Sequence, residues 1–544
     1  MSFIEQLHLQ LARMGDAPAV TEITERGPEP VSAKVLATMS NRARTTLDER
    51  GVQPGDRVVL IGPNSARWVA ADLAILAAGG VVVPMYDRQA PAELAKMMLD
   101  CTPGLVIVAT DALRDAVLAA WPQAPVLTFQ DLFAATPSTA PRVPRGPDDL
   151  VTLIYTSGTS GEPKGVMTTR ANVDHMLPVT SDALTELMGQ PPGEDRVFHY
   201  LPFCFAGSRV VLWTSLYRGT GVLISTDLDR LVDEIGVAAP HYFLNVPVLL
   251  ERVKNGAEKA LKSKGRAIWW LYQRARQAQA RKLVGKAGRR DELALRAADR
   301  LLFRAIAARL GPNLRFLICG SAPLGEDTQR WFELIGVKVY QVYGLTETTA
   351  IVTMDRPDAV VPGRVGSTIR GCEARTSDEG ELLVRGPHIF QGYWKRPDAT
   401  EAAFLDGWFR TGDQCTVDDA GNWAVVGRVK NLLVPTSGHN VAPEPIEQRL
   451  TESITGVEQA VLIGHGRPHL TALFTGAVDE ATLRAGVEAV NAELPFYKRI
   501  RAWHHRPAPL TPDEGLLTAN GKLKRAAIEA HFADAIHAMY ARGT

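Results

Sequence analysis

One stretch, Tyr155-Thr156-Ser157-Gly158-Thr159-Ser160-Gly161-Glu162-Pro163-Lys164-Gly165, constrains the fold of this chain more than any other. Its three glycines and one proline exclude a regular helix, while four hydroxyls and a lysine supply donors for anionic oxygens. The apolar run 150–155 that precedes it reads as a buried strand. A polar turn leaving the end of a sheet strand is a common seat for nucleotides in α/β folds. The spacing fits neither the Gly-x-x-x-x-Gly-Lys-Ser/Thr phosphate loop nor the dinucleotide Gly-x-Gly-x-x-Gly. A Gly/Ser surface turn is the alternative reading; the lysine after Gly-x-Pro and the hydrophobic strand weigh against it.

Around this stretch the apolar pattern alternates between periods. Strands are predicted at 57–61, 80–84 and 105–109, with helices at 66–78 and 90–101 between them. Such alternation describes βαβ units on a parallel sheet. A second series of strands is predicted at 196–201, 221–224, 241–245, 314–319 and 338–343. After Gly344 short strands and Gly/Asp turns indicate an antiparallel unit, and past Lys430 strands at 457–463 and 470–475 with a helix at 480–494 indicate a compact α+β segment. The fold class is therefore α/β, with a large N-terminal domain of two α/β layers plus a small β-barrel-like unit, then a small α+β C-terminal domain. The expected domain ranges are 1–428 and 429–544.

At 544 residues the chain exceeds one ordinary core. Its 46% hydrophobic and 22% charged residues are those of a globular protein. Lys plus Arg and Asp plus Glu both total 60, so total charge gives no push toward nucleic acid or an anionic membrane. The five cysteines are scattered without zinc spacing and read as reduced. No signal-like segment or apolar run of membrane length occurs, so a cytoplasmic protein is expected.

The stretch at 155–165 resembles the phosphate loop of the adenylate-forming superfamily, which includes acyl-CoA synthetases, peptide-synthetase adenylation domains and luciferases. Further motifs follow in that family's order. Tyr343-Gly344-Leu345-Thr346-Glu347-Thr348 is similar to the adenine and magnesium motif, and Gly407-Trp408-Phe409-Arg410-Thr411-Gly412-Asp413 to the ribose motif. Gly427-Arg428-Val429-Lys430 resembles the interdomain hinge, and Asn520-Gly521-Lys522-Leu523-Lys524-Arg525 the C-terminal loop bearing a catalytic lysine. The resemblance spans essentially the whole chain and implies a mobile C-terminal domain.

The implied reaction activates a carboxylate with ATP, releasing pyrophosphate, and passes the acyl group to the thiol of CoA. Its transition state places negative charge on phosphate oxygens, so catalysis consists mainly of positioning and electrostatic stabilisation. The resemblance assigns Thr156, Ser157, Gly158, Thr159, Ser160, Gly161 and Lys164 to the departing phosphates, with Glu347 and Thr156 on Mg²⁺. Thr346 or Thr348 would reach the α-phosphate, with Tyr343 and Gly344 beside adenine and the turn Gly320-Ser321-Ala322 beneath it. Asp413 and Arg428 would hold ribose. Lys522 would bridge carboxylate and α-phosphate, a task suited to a compact point charge. After rotation at Lys430, Ser437, Gly438 and His439 would line a pantetheine tunnel, with Glu447 nearby. The implied catalytic set is Lys522, Glu347, Lys164 and Thr346.

Two departures and one distinctive segment stand out. Phe205 occupies the histidine position of Leu-Pro-x-x-His, and Asn431 replaces a common acidic residue. Residues 252–309 carry many lysines and arginines, with Trp269, Trp270, Leu271 and Tyr272 among them. They read either as a solvated helical pair with an aromatic stripe buried on the body or as an interfacial helix meeting anionic lipid. Similar helical insertions occur in long-chain fatty acyl-CoA synthetases, which favours a long acyl substrate. The leading expectation is a fatty acid:CoA ligase; the rivals are a ligase loading a separate carrier protein and a non-catalytic acyl- or nucleotide-binding relative. Nucleic acid is not expected as a partner, and oligomeric state is left open.

Overall fold

The computed structural model describes residues 1–157, 162–189, 193, 195–518 and 521–541. Two compact units emerge, one of 1–373, 384–409 and 419–422, the other of 374–383, 410–418 and 423–544.

The first unit holds two sheets. One runs, in spatial order, Val126–Thr128, Leu105–Val108, Arg57–Ile61, Val81–Met85, Leu150–Ser157, Pro163–Thr169 and Gly392–Tyr393. The first five strands are parallel, and the last two join antiparallel. The valine-rich Val81–Met85 is buried on both faces, as an interior parallel strand requires. The intervening helices start where the sequence supplies caps. Ser65 accepts from Trp68 N at 3.1 Å to open Ala66–Ala77, and Pro91 sits in the first turn of Pro91–Cys101.

The other sheet has nine strands: Ser367–Thr368, Thr353–Met354, Lys338–Tyr343, Phe316–Cys319, Tyr242–Asn245, Val197–His199, Val222–Ser225, Pro18–Thr24 and Gly27–Ser32. Its middle six are parallel. The main core includes Val58, Leu60 and Val82 from one sheet, Val20, Val222 and Ile224 from the other, and the helix Ala66–Ala77, buried at every residue but Arg67. Each large apolar side chain buried there contributes about 1.5–3 kcal/mol.

The predicted strands are all present within a few residues of their expected bounds. Three differences have physical causes. The strands Pro18–Thr24 and Gly27–Ser32 were not expected, because the first pairs with Val222–Ser225, some two hundred positions away. The strand does not end at Tyr155 but continues to Ser157, and an antiparallel partner starts at Pro163, with Thr156 opposite Lys164. Proline is tolerated there as the first residue of the strand. Residues 252–309, expected as a helical pair, form four helices, Pro247–Ser263, Arg266–Leu283, Arg289–Ala298 and Arg304–Arg309, broken at Gly265 and at Gly285 to Gly288, where glycine takes backbones a helix does not, with the last two joined by a π turn.

In the second unit, Gln459–Ile463, Leu470–Thr475 and Ile500–Arg506 make a three-stranded sheet, antiparallel then parallel. Helices Glu444–Ser453 and Glu480–Glu493 cover one face through Leu450, Leu483 and Val487, and the terminal helices place Ile528, Ile536 and Met539 against Val461, Ile463 and Leu473. The same unit pairs the 410–417 part of strand Trp408–Val417 with Trp423–Arg428, in a register that sets Asp413 opposite Arg428.

Candidate active site

In the first unit the hairpin arms carry Thr156 and Lys164 side by side, both half-buried. Of the other expected phosphate-binding positions, Gly158, Thr159, Ser160 and Gly161 lie outside the described residues, and Ser157 is described by its backbone alone. Strand Pro163–Thr169 packs beside the single turn Thr346–Thr348. That turn is fixed locally: Leu345 N donates to Thr348 Oγ1 at 2.9 Å, and Thr348 Oγ1 donates to Leu345 O at 3.0 Å. Thr349 and Ala350 then take left-handed backbones, with φ of 48° and 83°. The chain folds back so tightly that a Cβ on Gly344 would lie 2.0 Å from Ala350 O, so only glycine fits.

The residue that unites this turn with the hairpin is Tyr393, which the sequence reading did not single out. Its hydroxyl donates to Glu347 Oε1 at 2.9 Å, and Lys164 Nζ lies 5.0 Å from the centre of its ring. Phe390 N donates to Glu347 O at 2.8 Å, so backbone and side chain of Glu347 are both located by the 390–393 segment. Asp100 anchors the same region. Its carboxylate accepts from Tyr155 at 2.6 Å and pairs with Arg396 at 3.0 Å, and its carbonyl accepts from Trp394 Nε1 and Lys395 Nζ. Burial, reinforced by Asp100, pushes the Tyr155 phenol up, so it remains a donor. No local pattern links 100, 155 and 393–396; only their convergence in the fold reveals them.

Mg²⁺ binds through one or two carboxylates plus substrate phosphates rather than an all-protein cage. Glu347 fits that role, with Oε1 located by one hydrogen bond and the carboxylate half-exposed. Among the described residues no group of three or more His, Cys, Asp or Glu could hold a metal by itself, so phosphate ligands would be required.

Tyr343 ends its strand half-buried, and Gly320-Ser321-Ala322 follows the neighbouring strand Phe316–Cys319. Ser321 has a φ of 70°, strained for a non-glycine residue, in a turn held by Gly320 N on Asn245 O at 3.1 Å. The segment 201–205 is clamped by Asn64, which donates to Leu201 O and accepts from Phe203 N, both at 2.8 Å. Phe205 is half-buried, its ring 5.8 Å from that of Tyr86. This wall offers aromatic surface where a histidine would offer a donor.

In the second unit Arg428 Nε pairs with Asp413 Oδ1 at 2.8 Å, and Arg428 also donates to Thr411 O at 3.2 Å. Lys430 lies in the short turn Val429–Asn431, followed by Asn431 donating to Glu444 at 2.7 Å. Ser437 Oγ and His439 Nδ1 are 3.3 Å apart, the His439 ring stacks on Tyr497 at 4.2 Å, and Gly438 takes a φ of 78°. Lys522 is exposed on a small hairpin: Thr518 N donates to Lys522 O at 2.8 Å, and Lys522 N to Thr518 Oγ1 at 3.1 Å. Asn520 lies outside the described residues. Glu447 is buried, receives two hydrogen bonds from Arg525 at 2.8 and 2.5 Å, and accepts from Leu462 N. Burial pushes its carboxyl up while Arg525 pulls it back, the balance of a group that ties helix to sheet.

Lys164 and Glu347 thus both rest on Tyr393, and in the second unit Asp413 faces Arg428 across a hairpin; these are the positions at which the sequence resembles adenylate-forming enzymes. Family comparison agrees: residues 7–394 match the AMP-binding enzyme family and residues 430–544 the AMP-binding enzyme C-terminal domain. The chain belongs to the AMP-binding enzyme family. It is 30% identical to the long-chain-fatty-acid–CoA ligase FadD15 of Mycobacterium bovis, over 94% of this chain and 92% of that one. It is 29% identical to the peroxisomal long chain acyl-CoA synthetase 7 of Arabidopsis thaliana, over 90% of this chain and 79% of that one. Among solved structures, ATP-bound MatB from Rhodopseudomonas palustris superposes with a TM-score of 0.75 at 26% identity, covering 98% of this chain and 99% of that one. The adenylation domain of a carboxylate reductase from Mycobacterium chelonae has the same fold, with a TM-score of 0.79 at 22% identity over 99% and 91% of the two chains.

Proposed function

We propose that this protein is an AMP-forming ligase that activates a fatty acid, of long chain, with ATP and transfers the acyl group to CoA. The carboxylate attacks the α-phosphorus, pyrophosphate departs, and the thiol of CoA then displaces AMP from the acyl-adenylate. Lys164 and Thr156 on the hairpin neutralise and bind the departing phosphates. Glu347 would hold Mg²⁺, which would supply charge neutralisation at the phosphate oxygens. Asp413 accepts the ribose hydroxyls, a double acceptance that a carboxylate suits. Lys522 brings two anions together for the first half-reaction, and Ser437, Gly438 and His439 serve the second.

The observation that carries this reading is Glu347, fixed through Tyr393 to the ring over which Lys164 lies. A hard oxygen ligand and a cation that share one tyrosine support the reading, since pyrophosphate departure calls on both. The long-chain assignment is supported by the named activities of the 30% and 29% identical relatives. The free cysteines, four of them buried, suit a reducing cytoplasm.

Pyrophosphate release measured across acids of graded length, with and without CoA, tests the proposal. Sustained release with long acids only when CoA is present is expected. Accumulation of acyl-AMP that CoA does not discharge would transfer the assignment to a carrier-protein-loading ligase. Absence of release with every acid would make the chain a non-catalytic relative.

A further inference from the structure

The neutral total charge conceals a segregation. Residues 252–309 carry 17 Lys and Arg against 4 Asp and Glu, while the rest of the chain carries 43 against 56. A cationic helical segment is thus set on an acidic remainder. Six of its cations are in ion pairs: Lys254 and Arg276 with Asp327, Arg274 and Arg281 with Asp291, Arg296 with Glu292, and Arg304 with Asp299. The other eleven, among them Lys259, Lys262, Lys264, Arg266, Arg289 and Arg290, have no acidic partner within 4.0 Å among the described residues.

The apolar surface is distributed in the same way. Of the fifteen large hydrophobic side chains exposed among the described residues, six fall between 248 and 301. Trp270 is 66% exposed, on the side of Arg266–Leu283 away from Tyr272, which is buried and accepts from Trp331 Nε1 at 3.0 Å. On the helix Arg289–Ala298 and the π turn that continues it, Arg289, Leu293, Arg296 and Arg300 are all exposed and recur at intervals of four, three and four, a cationic face with a leucine set into it. Leu293 and Leu301 are 63% and 66% exposed. The aromatic stripe is therefore split: Tyr272 belongs to the core, and Trp270 belongs to the surface.

We propose that the helical segment 252–309 docks on the surface of a bilayer rich in anionic phospholipid. Lysines and arginines meet the phosphate headgroups, and Trp270, Leu293 and Leu301 enter the boundary between headgroups and acyl chains. A purely cationic face would suit nucleic acid equally; the exposed tryptophan and leucines among the charges favour lipid. The acidic remainder is repelled by the same surface, so attachment is oriented. Among the described residues no helix is long and apolar enough to cross a membrane, and the contact proposed is a peripheral one. Such contact would bring the enzyme to the phase in which long-chain acids concentrate.

Co-sedimentation of the full chain with vesicles tests this. Strong binding is expected to phosphatidylcholine vesicles containing about one third phosphatidylglycerol, with none to pure phosphatidylcholine. Raising salt from about 0.05 to 0.5 M should release the chain. The fourfold variant Lys262→Glu, Lys264→Glu, Arg289→Glu, Arg290→Glu should lose at least about tenfold in affinity while keeping ATP binding, and Trp270→Ser should weaken binding without altering its salt dependence. Equal binding to both vesicle types, or none to either, overturns the proposal, as does retention by an acidic carrier protein through these lysines with the vesicles ignored. The salt titration uses the unaltered chain, so it decides the matter even if the fourfold variant misfolds. Vesicle binding is read without turnover, so its failure leaves the ligase assignment standing.

Discussion

Two arginine–aspartate pairs, one in each unit, do opposite work. Arg209 and Asp72 are sealed, each 1% exposed at the side chain. Asp72 also accepts from Trp213 Nε1 at 2.8 Å, and Arg209 reaches Thr152 on the strand that leads into the phosphate hairpin and lies 4.4 Å from the Trp213 ring centre. Burial pushes the Asp72 carboxyl up, while the Arg209 charge and the Trp213 and Arg209 hydrogen bonds pull against that rise. In the other pair Asp413 is 5% exposed and Arg428 38%. The Arg428 side chain reaches solvent, so under the proposed function it would yield Asp413 to the hydroxyls of a ligand. Burial decides whether such a pair is a strut or a latch.

The largest expected effect breaks the strut. Arg209→Met should cost about 3–5 kcal/mol of stability by stranding a buried carboxylate, read as a lower denaturation midpoint. An unchanged midpoint would show that the sealed pair is dispensable. Removing an acting group should leave stability alone and remove rate. Lys522→Ala, on an exposed hairpin, should slow acyl-AMP formation by about 10²–10³ while sparing thioester formation from supplied acyl-AMP. Equal loss in both half-reactions would refute the role of Lys522.

A pH dependence sharpens the sealed side further. His199 stacks on Phe203 at 5.0 Å, and Phe203 packs on Trp68, over which Arg209 lies. Burial pulls the imidazoles of His199 and His388 down to about 4. The unfolded chain protonates both below about pH 6.5, so stability should be full above that value and fall as pH drops from about 6.5 toward 4. Asp355, pushed up to about 7 by burial, acts in the opposite sense across the same window and offsets one histidine. His199→Phe should flatten the slope of denaturation midpoint against pH; an unaltered slope would assign it elsewhere.

On the latch side, Asp413→Asn should raise the KM for ATP by about 1.5–3 kcal/mol of lost charge-assisted bonding, with the midpoint unmoved. The smallest effect should follow Tyr393→Phe, which removes one hydrogen bond worth about 0.5–1.5 kcal/mol. It should weaken Mn²⁺ binding in the presence of a non-hydrolysable ATP analogue, followed by electron paramagnetic resonance. Unchanged Mn²⁺ affinity would mean that Tyr393 supports the fold and not Glu347.

Much of the fold was legible because its signals are local. Alternating apolar runs located the parallel strands to within a few residues, and Lys338–Tyr343 and Leu470–Thr475 match their predicted ranges fully. The antiparallel pairing across 155–165 escaped, since glycine and proline mark a chain reversal without saying how far its strands extend. Asp100 and Tyr393 escaped because an ordinary aspartate and tyrosine acquire meaning only from what they touch.

By itself the sequence determined the chemical inventory, with Lys164, Glu347, Asp413 and Lys522 in ordered motifs, and the α/β character of the chain. It also held the charge segregation of 252–309, hidden beneath a neutral sum. The tertiary structure alone decided that Pro18–Thr24 joins a sheet built from residues two hundred positions on, that Tyr393 holds Glu347, and that Tyr272 faces inward while Trp270 faces out. The reason is common to all three. Periodicity and turn chemistry act between neighbours in the chain, whereas pairing, burial and the freedom of an ion pair are set by which distant segments the core brings together.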